Sequence, residues 1–107
     1  ASDLIWVKDR AGRLTFVNPA AEVLLTRDTP VLGLDAWALT DDASQAARIA
    51  ANDERIMTTG TVERVEEVFG PPGAERVFES VKTPLRDIGG AVTGLVGISR
   101  DVTELRT

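Results

Sequence analysis

Cysteine and histidine are both absent from the 107 residues of this chain. Without them the chain can form no disulfide, no thiolate nucleophile and no zinc site made from these two residue types. Histidine is also the most common general base, so a hydrolase triad around any of the serines is excluded. We therefore expect a chain that has no catalysis of its own.

Long apolar runs and basic clusters are missing as well. No stretch approaches the ~20 apolar residues of a membrane-spanning helix, and no signal-peptide pattern opens the chain. The formal net charge is -5, and Lys and Arg are not gathered as a nucleic-acid-binding face requires. We expect a domain excised from a longer cytoplasmic protein, with no nucleic-acid partner and no membrane contact of its own.

The composition is that of one ordinary globular domain, with 43% hydrophobic and 27% charged residues. Strand-like segments lie near both ends. Leu4–Val7 and Arg13–Val17 flank a turn, and two apolar runs flank the turn formers Asp87–Gly90, which predicts two hairpins. Thr61–Phe69 is interpreted as a further strand.

Helical segments lie in the middle of the chain. Asn18-Pro19 is typical of a helix start, because Asn caps the first turn and Pro has no N–H to leave unpaired. A longer helix is predicted over Ala43–Thr59, ended by Gly60. The order β-β-α-(α)-α-β-β-β indicates one α+β domain over residues 1–107, with helices on one face of an antiparallel sheet.

Short motifs follow one another in a recognisable order. They are Asp9-x-x-Gly12, Asn18-Pro19-Ala20-Ala21-Glu22, Gly33, the run 82–87, Gly97-Ile98-Ser99-Arg100-Asp101 and Val102-Thr103-Glu104. Together they resemble a PAS domain, from about Asp3 to Thr103. The resemblance implies a five-stranded antiparallel sheet of order 2-1-5-4-3. It also implies that residues 102–107 begin a C-terminal linker helix.

The resemblance implies a function as well. It predicts a sensing, relay and dimerisation module of a bacterial signalling protein, such as a histidine kinase or a cyclic-dinucleotide enzyme, with the output domain in the same chain. Haem-binding members generally use a His ligand, and light-oxygen-voltage members need a flavin-reactive Cys. We therefore expect no bound cofactor and no metal, and a noncovalently held flavin or small metabolite stays open.

The alternative function is a small-molecule receptor with a compact, mostly apolar pocket between sheet and helices. Alternation places small residues of the last two strands on one face, and the resemblance to flavin-binding members implies that Ser99 faces the interior. Gly97 leaves room for a close neighbour, either a packed helix or a ligand. The competing interpretation is that side chains fill the space. The candidate pocket residues are Trp37, Ile56, Met57, Phe78, Ser80, Lys82, Leu95, Gly97 and Ser99.

The end of the last strand is predicted to relay the signal. Asp101 shares the inward face of Ser99, where an unpaired carboxylate is costly. Lys82 is the first candidate partner for Asp101, with Lys8 and Arg13 as alternatives. Thr103 is expected to cap a helix that begins at Glu104.

Two further surfaces can be predicted from strand alternation. The outer sheet face carries Val77, Val81, Val96 and Ile98, and an apolar face needs a cover. The cover would be a partner subunit or a flanking helix lost in the excision, and we expect a homodimer through these residues. Glu63, Glu66 and Glu67 could form a carboxylate or metal site, but we interpret them as a solvated strand.

Overall fold

The computed structural model describes residues 3–25, 29–70 and 73–105. Over these residues the chain forms five strands, three α-helices and a closing 3-10 turn, Thr103–Leu105. The strands are β1 (Leu4–Asp9), β2 (Leu14–Val17), β3 (Glu63–Phe69), β4 (Arg76–Arg86) and β5 (Val92–Asp101). The helices are α1 (Pro19–Leu25), α2 (Ala36–Leu39) and α3 (Ala43–Thr59).

The strands form one antiparallel sheet of order β2-β1-β5-β4-β3. This order and the α+β class confirm the predicted fold. β5, the last strand in the sequence, lies at the centre between β1 and β4. The C-terminal strand therefore pairs with both halves of the sheet.

Both hairpin turns begin with an aspartate and have a glycine three residues later. Asp9 and Asp87 each accept two backbone N–H groups of their own turn at 2.9–3.0 Å. Gly12 and Gly90 have φ of 82° and 92°, in the region that favours glycine. Because these interactions are local, both turns were predictable from the sequence.

α1 begins at its predicted residue, and α3 begins and ends at its predicted residues. The Asn18 side chain accepts from Ala21 N–H at 3.0 Å, which caps α1, and from Ile5 N–H at 3.1 Å, which ties that cap to β1. Asp42 caps α3, which ends at Gly60 with a φ of 68°. The predicted bounds of α3, Ala43–Thr59, are confirmed.

The core lies between the inner sheet face and the helices. Met57, a candidate pocket residue, is 4% exposed and belongs to this core. Phe78 stacks on Phe69, with ring centres 4.3 Å apart. The buried apolar cluster comprises Leu4, Trp6, Leu14, Ala21, Val31, Met57, Phe78 and Leu95.

Candidate functional site

Four charged side chains meet in the interior. Lys82 Nζ donates to Asp53 at 2.7 Å and to Glu67 at 2.6 Å, and Lys8 Nζ donates to the other oxygen of Asp53 at 2.5 Å. Each of the four side chains is at most 9% exposed. We call Lys8, Asp53, Glu67 and Lys82 the buried ion cluster. Its two ammonium and two carboxylate groups balance, so that pairing offsets the cost of burying charge.

The buried ion cluster joins four elements of the fold. Lys8 lies on β1, on the inward face that also carries Leu4 and Trp6. Asp53 lies on the buried side of α3, while Glu67 and Lys82 come from β3 and β4. The ion pairs therefore hold α3 against three strands of the sheet.

An indole ring packs over this cluster. The Nζ atoms of Lys8 and Lys82 lie 5.0 and 5.5 Å from the ring centre of Trp6, within cation–π range. Trp6 Nε1 donates to Ser99 Oγ at 3.0 Å, and the hydroxyls of Ser99 and Ser80 are 2.7 Å apart. The ring thus links the charged cluster to the central strand β5.

Trp6 also occupies the space that Gly97 leaves. A Cβ atom added at position 97 would lie 2.0 Å from the indole, which is far inside contact distance. The expected close neighbour is thus a side chain of the adjacent strand β1. Both neighbours predicted from the sequence, a helix and a ligand, were wrong.

A cavity of about 130 Å³ lies beside the cluster. Lys8, Glu67 and Trp6 line it on one side. The other walls are mainly apolar, and they include Leu4, Leu14, Leu24, Leu39, Ile49 and Phe69. The cavity is therefore an apolar space with a charged, hydrogen-bonding edge.

None of the nine predicted pocket residues lines this cavity. Seven of them are gathered in the interior as expected, but their own side chains and Trp6 fill the space that was predicted to be a pocket. These seven are Ile56, Phe78, Ser80, Lys82, Leu95, Gly97 and Ser99. Trp37 is 55% exposed, and with Met57 it lines a separate cleft beside α3. Lys82, Gly97 and Ser99 contact Trp6, and Ser80 contacts Ser99, so these residues lie behind the indole ring and not at the cavity wall.

The sequence interpretation missed Lys8, Asp53 and Glu67 as a unit. A signal for each was present. Lys8 alternates with Trp6 and Leu4 on a strand, and Asp53 lies at the helical spacing of the apolar Ile49 and Ile56. The interpretation of the β3 carboxylates as solvated was wrong for Glu67, which is buried against Lys82.

The other β3 carboxylates have different surroundings. Glu63 accepts from Arg55 at 2.6 and 2.8 Å, which lowers the pKa of Glu63, and Glu66 is exposed. Among residues 3–25, 29–70 and 73–105, no group of three or more carboxylates is arranged to hold a metal ion.

At the end of β5, a compact junction joins strand and 3-10 turn. Asp101 accepts from Arg76 Nε with one oxygen, and with the other from the N–H and hydroxyl of Thr103 at 3.0 and 2.7 Å. The same hydroxyl accepts from Val77 N–H at 2.9 Å. Arg76 also donates to Glu104 at 3.0 Å. We call Arg76, Val77, Asp101, Thr103 and Glu104 the exit junction.

The electrostatics of the exit junction centre on Asp101. The bond from Arg76, followed by the donors of Thr103, lowers the pKa of Asp101 from 3.8 to about 2. The bonds to Asp101 and Glu104 raise the pKa of Arg76. Asp101 therefore stays ionised over all ordinary pH values.

The predicted partners of Asp101 were wrong. Lys82 faces Gly97 in the β4–β5 register, and Asp101 faces Phe78. Four residues of extended strand, ~13 Å, thus separate Lys82 from Asp101, although both lie on one face. Lys8 forms its ion pair with Asp53. Arg76, not considered from the sequence, is the partner.

Thr103 also differs from its prediction. It is the first residue of the 3-10 turn, and the capping carboxylate is that of Asp101. Arg106 and Thr107, the end of the predicted linker helix, lie outside the described residues.

Comparison with known proteins identifies the fold. A family model described as the PAS fold matches residues 1–107. The chain belongs to the PAS family. A PAS domain is a sensory module of signalling proteins and is not itself catalytic.

Two signalling proteins each contain a segment that is similar in sequence to this PAS domain. A methanogenesis regulatory histidine kinase, FilI of Methanothrix harundinacea, is 31% identical over 106 residues, which are 99% of this chain and 12% of the kinase. A diguanylate cyclase of Vibrio cholerae is also 31% identical, over 94% of this chain and 32% of the cyclase. The chain thus spans less than a third of either relative.

Solved structures agree on the fold. A structure of the Vibrio cholerae VqmA dimer superposes with a TM-score of 0.83 at 22% identity, covering 96% of this chain and 47% of VqmA. At this identity the likeness shows the PAS fold alone.

The outer face of the PAS sheet carries a row of apolar side chains. Ile5, Ile98 and Val81 are register partners across β1, β5 and β4, and Val96 lies beside them. Ile5 and Ile98 are 37% and 45% exposed, whereas Val77, Val81 and Val96 are half-buried. In the part of the chain that the structure describes, no helix has the length and apolarity to cross a bilayer.

Proposed function

We propose that this PAS domain passes a conformational change from its interior to an output domain in the same protein. The observation that carries the proposal is the exit junction at the end of the central strand. Ser99 bonds to Trp6, and Asp101, two residues further along β5, bonds to Arg76 and Thr103. Movement of the indole would therefore displace β5, and with it the carboxylate that holds the chain's exit.

The test uses the full-length protein that contains this chain. Asp101→Ala removes the acceptor of three donors at the exit and is expected to uncouple output activity from the signal. Asp87→Ala is the matched control, because Asp87 also accepts two backbone N–H groups, but at the far hairpin turn. Retained signal dependence in the folded Asp101→Ala protein would refute the relay role.

We further propose that the domain forms a homodimer through the outer sheet face. Val77, Val81, Val96 and Ile98 supply an apolar surface. Because the three valines are already half-buried, each side chain covered there would contribute less than the roughly 1.5–3 kcal/mol of a fully exposed one. Val96→Glu should shift the protein toward monomer in sedimentation velocity. Ile88→Glu at the fully exposed hairpin tip is the control and should leave the distribution unchanged. A Val96→Glu protein with unchanged sedimentation would rule out this interface.

A second candidate function, a small-molecule receptor, is favoured by the cavity of about 130 Å³ beside the buried ion cluster. Without Cys or His, the chain can offer neither a thiol adduct nor an imidazole ligand. The molecule would therefore be held noncovalently, by apolar contact and by Lys8 and Glu67. We propose no resident metal or haem.

A further inference from the structure

The charged edge of the cavity has unused hydrogen-bonding capacity. Lys8 has three N–H donors; one binds Asp53 and another can face the Trp6 ring. No acceptor among the described residues takes the third. Glu67 accepts from Lys82 through one oxygen, and its second oxygen takes no donor from the described part of the chain. A molecule in the cavity would thus find a donor and an acceptor side by side.

The charge balance of the cluster restricts what can bind there. Two ammonium groups already face two carboxylates, and each of these side chains is at most 9% exposed. A bound anion or cation would add a net charge without a free counter-charge, and burying an unpaired charge is costly. A neutral molecule avoids this cost and can still use both hydrogen-bonding groups.

The size of the cavity sets the scale of the molecule. An apolar cavity of ~150 Å³ is known to hold benzene, so a cavity of about 130 Å³ is on the scale of a single ring. The walls of Leu4, Leu14, Leu39 and Phe69 would contact the ring. This matches the usual plan of a small-molecule site, with apolar walls and a few polar groups that orient the ligand.

Building on the receptor function proposed above, we propose that the cavity binds a neutral, single-ring molecule that has a hydrogen-bond acceptor next to an N–H or O–H donor. The acceptor takes the third N–H of Lys8, and the donor binds the second oxygen of Glu67. The ring fills the apolar part of the cavity.

Three probes of similar size test this ligand class. Benzamide is neutral and has both groups, benzoate is nearly the same shape but anionic, and toluene has no hydrogen-bonding group. Binding is followed by backbone amide NMR signals of Leu14, Ala36 and Leu39. Benzamide should give saturable shifts at these residues, with a dissociation constant at least tenfold lower than those of benzoate and toluene.

Two variants locate the site. Lys8→Met removes the donor, while Asp53 keeps its ion pair with Lys82. This variant should raise the dissociation constant of benzamide at least tenfold and change that of toluene less than twofold. Toluene thus reports that the Lys8→Met cavity is intact. Ala21→Leu, which fills the cavity from α1 without touching the ions, should abolish binding of all three probes.

The outcomes separate this inference from the function beneath it. Benzoate binding as tightly as benzamide, or toluene binding more tightly, would overturn the ligand class and leave a receptor. No saturable shift from any probe would overturn both the ligand class and the receptor. The relay and dimer proposals are tested independently at Asp101 and Val96.

Discussion

Replacing Lys82 by Met isolates the energetic role of the buried ion cluster. The two side chains have similar length and volume, so the substitution removes charge with little change in packing. Asp53 would keep its ion pair with Lys8. Glu67 would lose Lys82, the cation with which it pairs among the described residues. A carboxylate that is 9% exposed would then be left without its counter-charge.

The expected loss is large for one side chain. Breaking a buried ion pair by removing one partner costs about 3–5 kcal/mol, against a total unfolding free energy of about 5–15 kcal/mol for a domain. With an m-value of about 2 kcal/mol per molar urea, the unfolding midpoint should fall by about 1.5–2.5 M. Urea titrations followed by circular dichroism measure this shift.

The control is an exposed ion pair on the same sheet. Arg64 donates to Glu79 across β3 and β4 at 2.8 Å, with side chains 67% and 33% exposed. Arg64→Met should therefore cost less than about 1 kcal/mol. Adding Glu67→Gln to Lys82→Met removes the stranded charge and should recover part of the loss. A cost for Lys82→Met no greater than that for Arg64→Met would refute the reasoning.

Two other predictions concern the exit junction and the indole. Because the pKa of Asp101 is lowered to about 2, its ionisation stabilises the fold above pH ~4, and that contribution is lost as pH falls from ~4 through 2. The difference in urea stability between wild type and Asp101→Asn should be about 1–2 kcal/mol at pH 6, allowing for the half-exposed Arg76. It should shrink as pH falls and vanish below pH ~2, and a pH-independent difference would contradict it. Gly97→Ala should cost about 1–3 kcal/mol, because a Cβ would lie 2.0 Å from the Trp6 indole. The cost should shrink in a Trp6→Leu background, and an equal cost there would show that the ring is not the obstacle.

Much of the fold was predictable because its signals are local. Asp9 and Asp87 bind N–H groups within four residues, and Asn18 and Asp42 bind N–H groups within three to start helices. Such signals fix where elements begin and end. The sheet order depended on the resemblance to a known family, since antiparallel strands of similar composition can pair in several orders.

The site was less predictable because its contacts join distant parts of the chain. Asp53 is 45 residues from Lys8 and 29 from Lys82. Alternation placed Lys82 on the same face as Asp101, but alternation gives the face of a residue and not its distance along the strand. The register of β4 on β5 was needed to see that Lys82 lies opposite Gly97.

One sequence signal for the cluster is easy to overlook. The chain contains twelve Lys and Arg residues, and both of its lysines are in the buried ion cluster, while the arginines with described ion pairs are 39–67% exposed. A lysine ammonium is compact and can serve two carboxylates at once, whereas the planar guanidinium of Arg favours paired contacts at the surface. In a chain with so few lysines, a lysine on the inward face of a strand indicates a buried acidic partner.

The buried ion cluster also helps to explain which face of β4 points toward the helices. On this strand Val77 and Val81 face outward, while Ser80 and Lys82 face inward with Phe78. Hydrophobicity alone would therefore not favour the observed side. A one-residue slip would turn every side chain of β4 over, which would move Phe78 off Phe69 and take Lys82 away from Asp53 and Glu67. Glu67 would then be buried without a cation, at a cost that two inward valines do not offset. The charges thus specify the register of the strand on which the interior site is built.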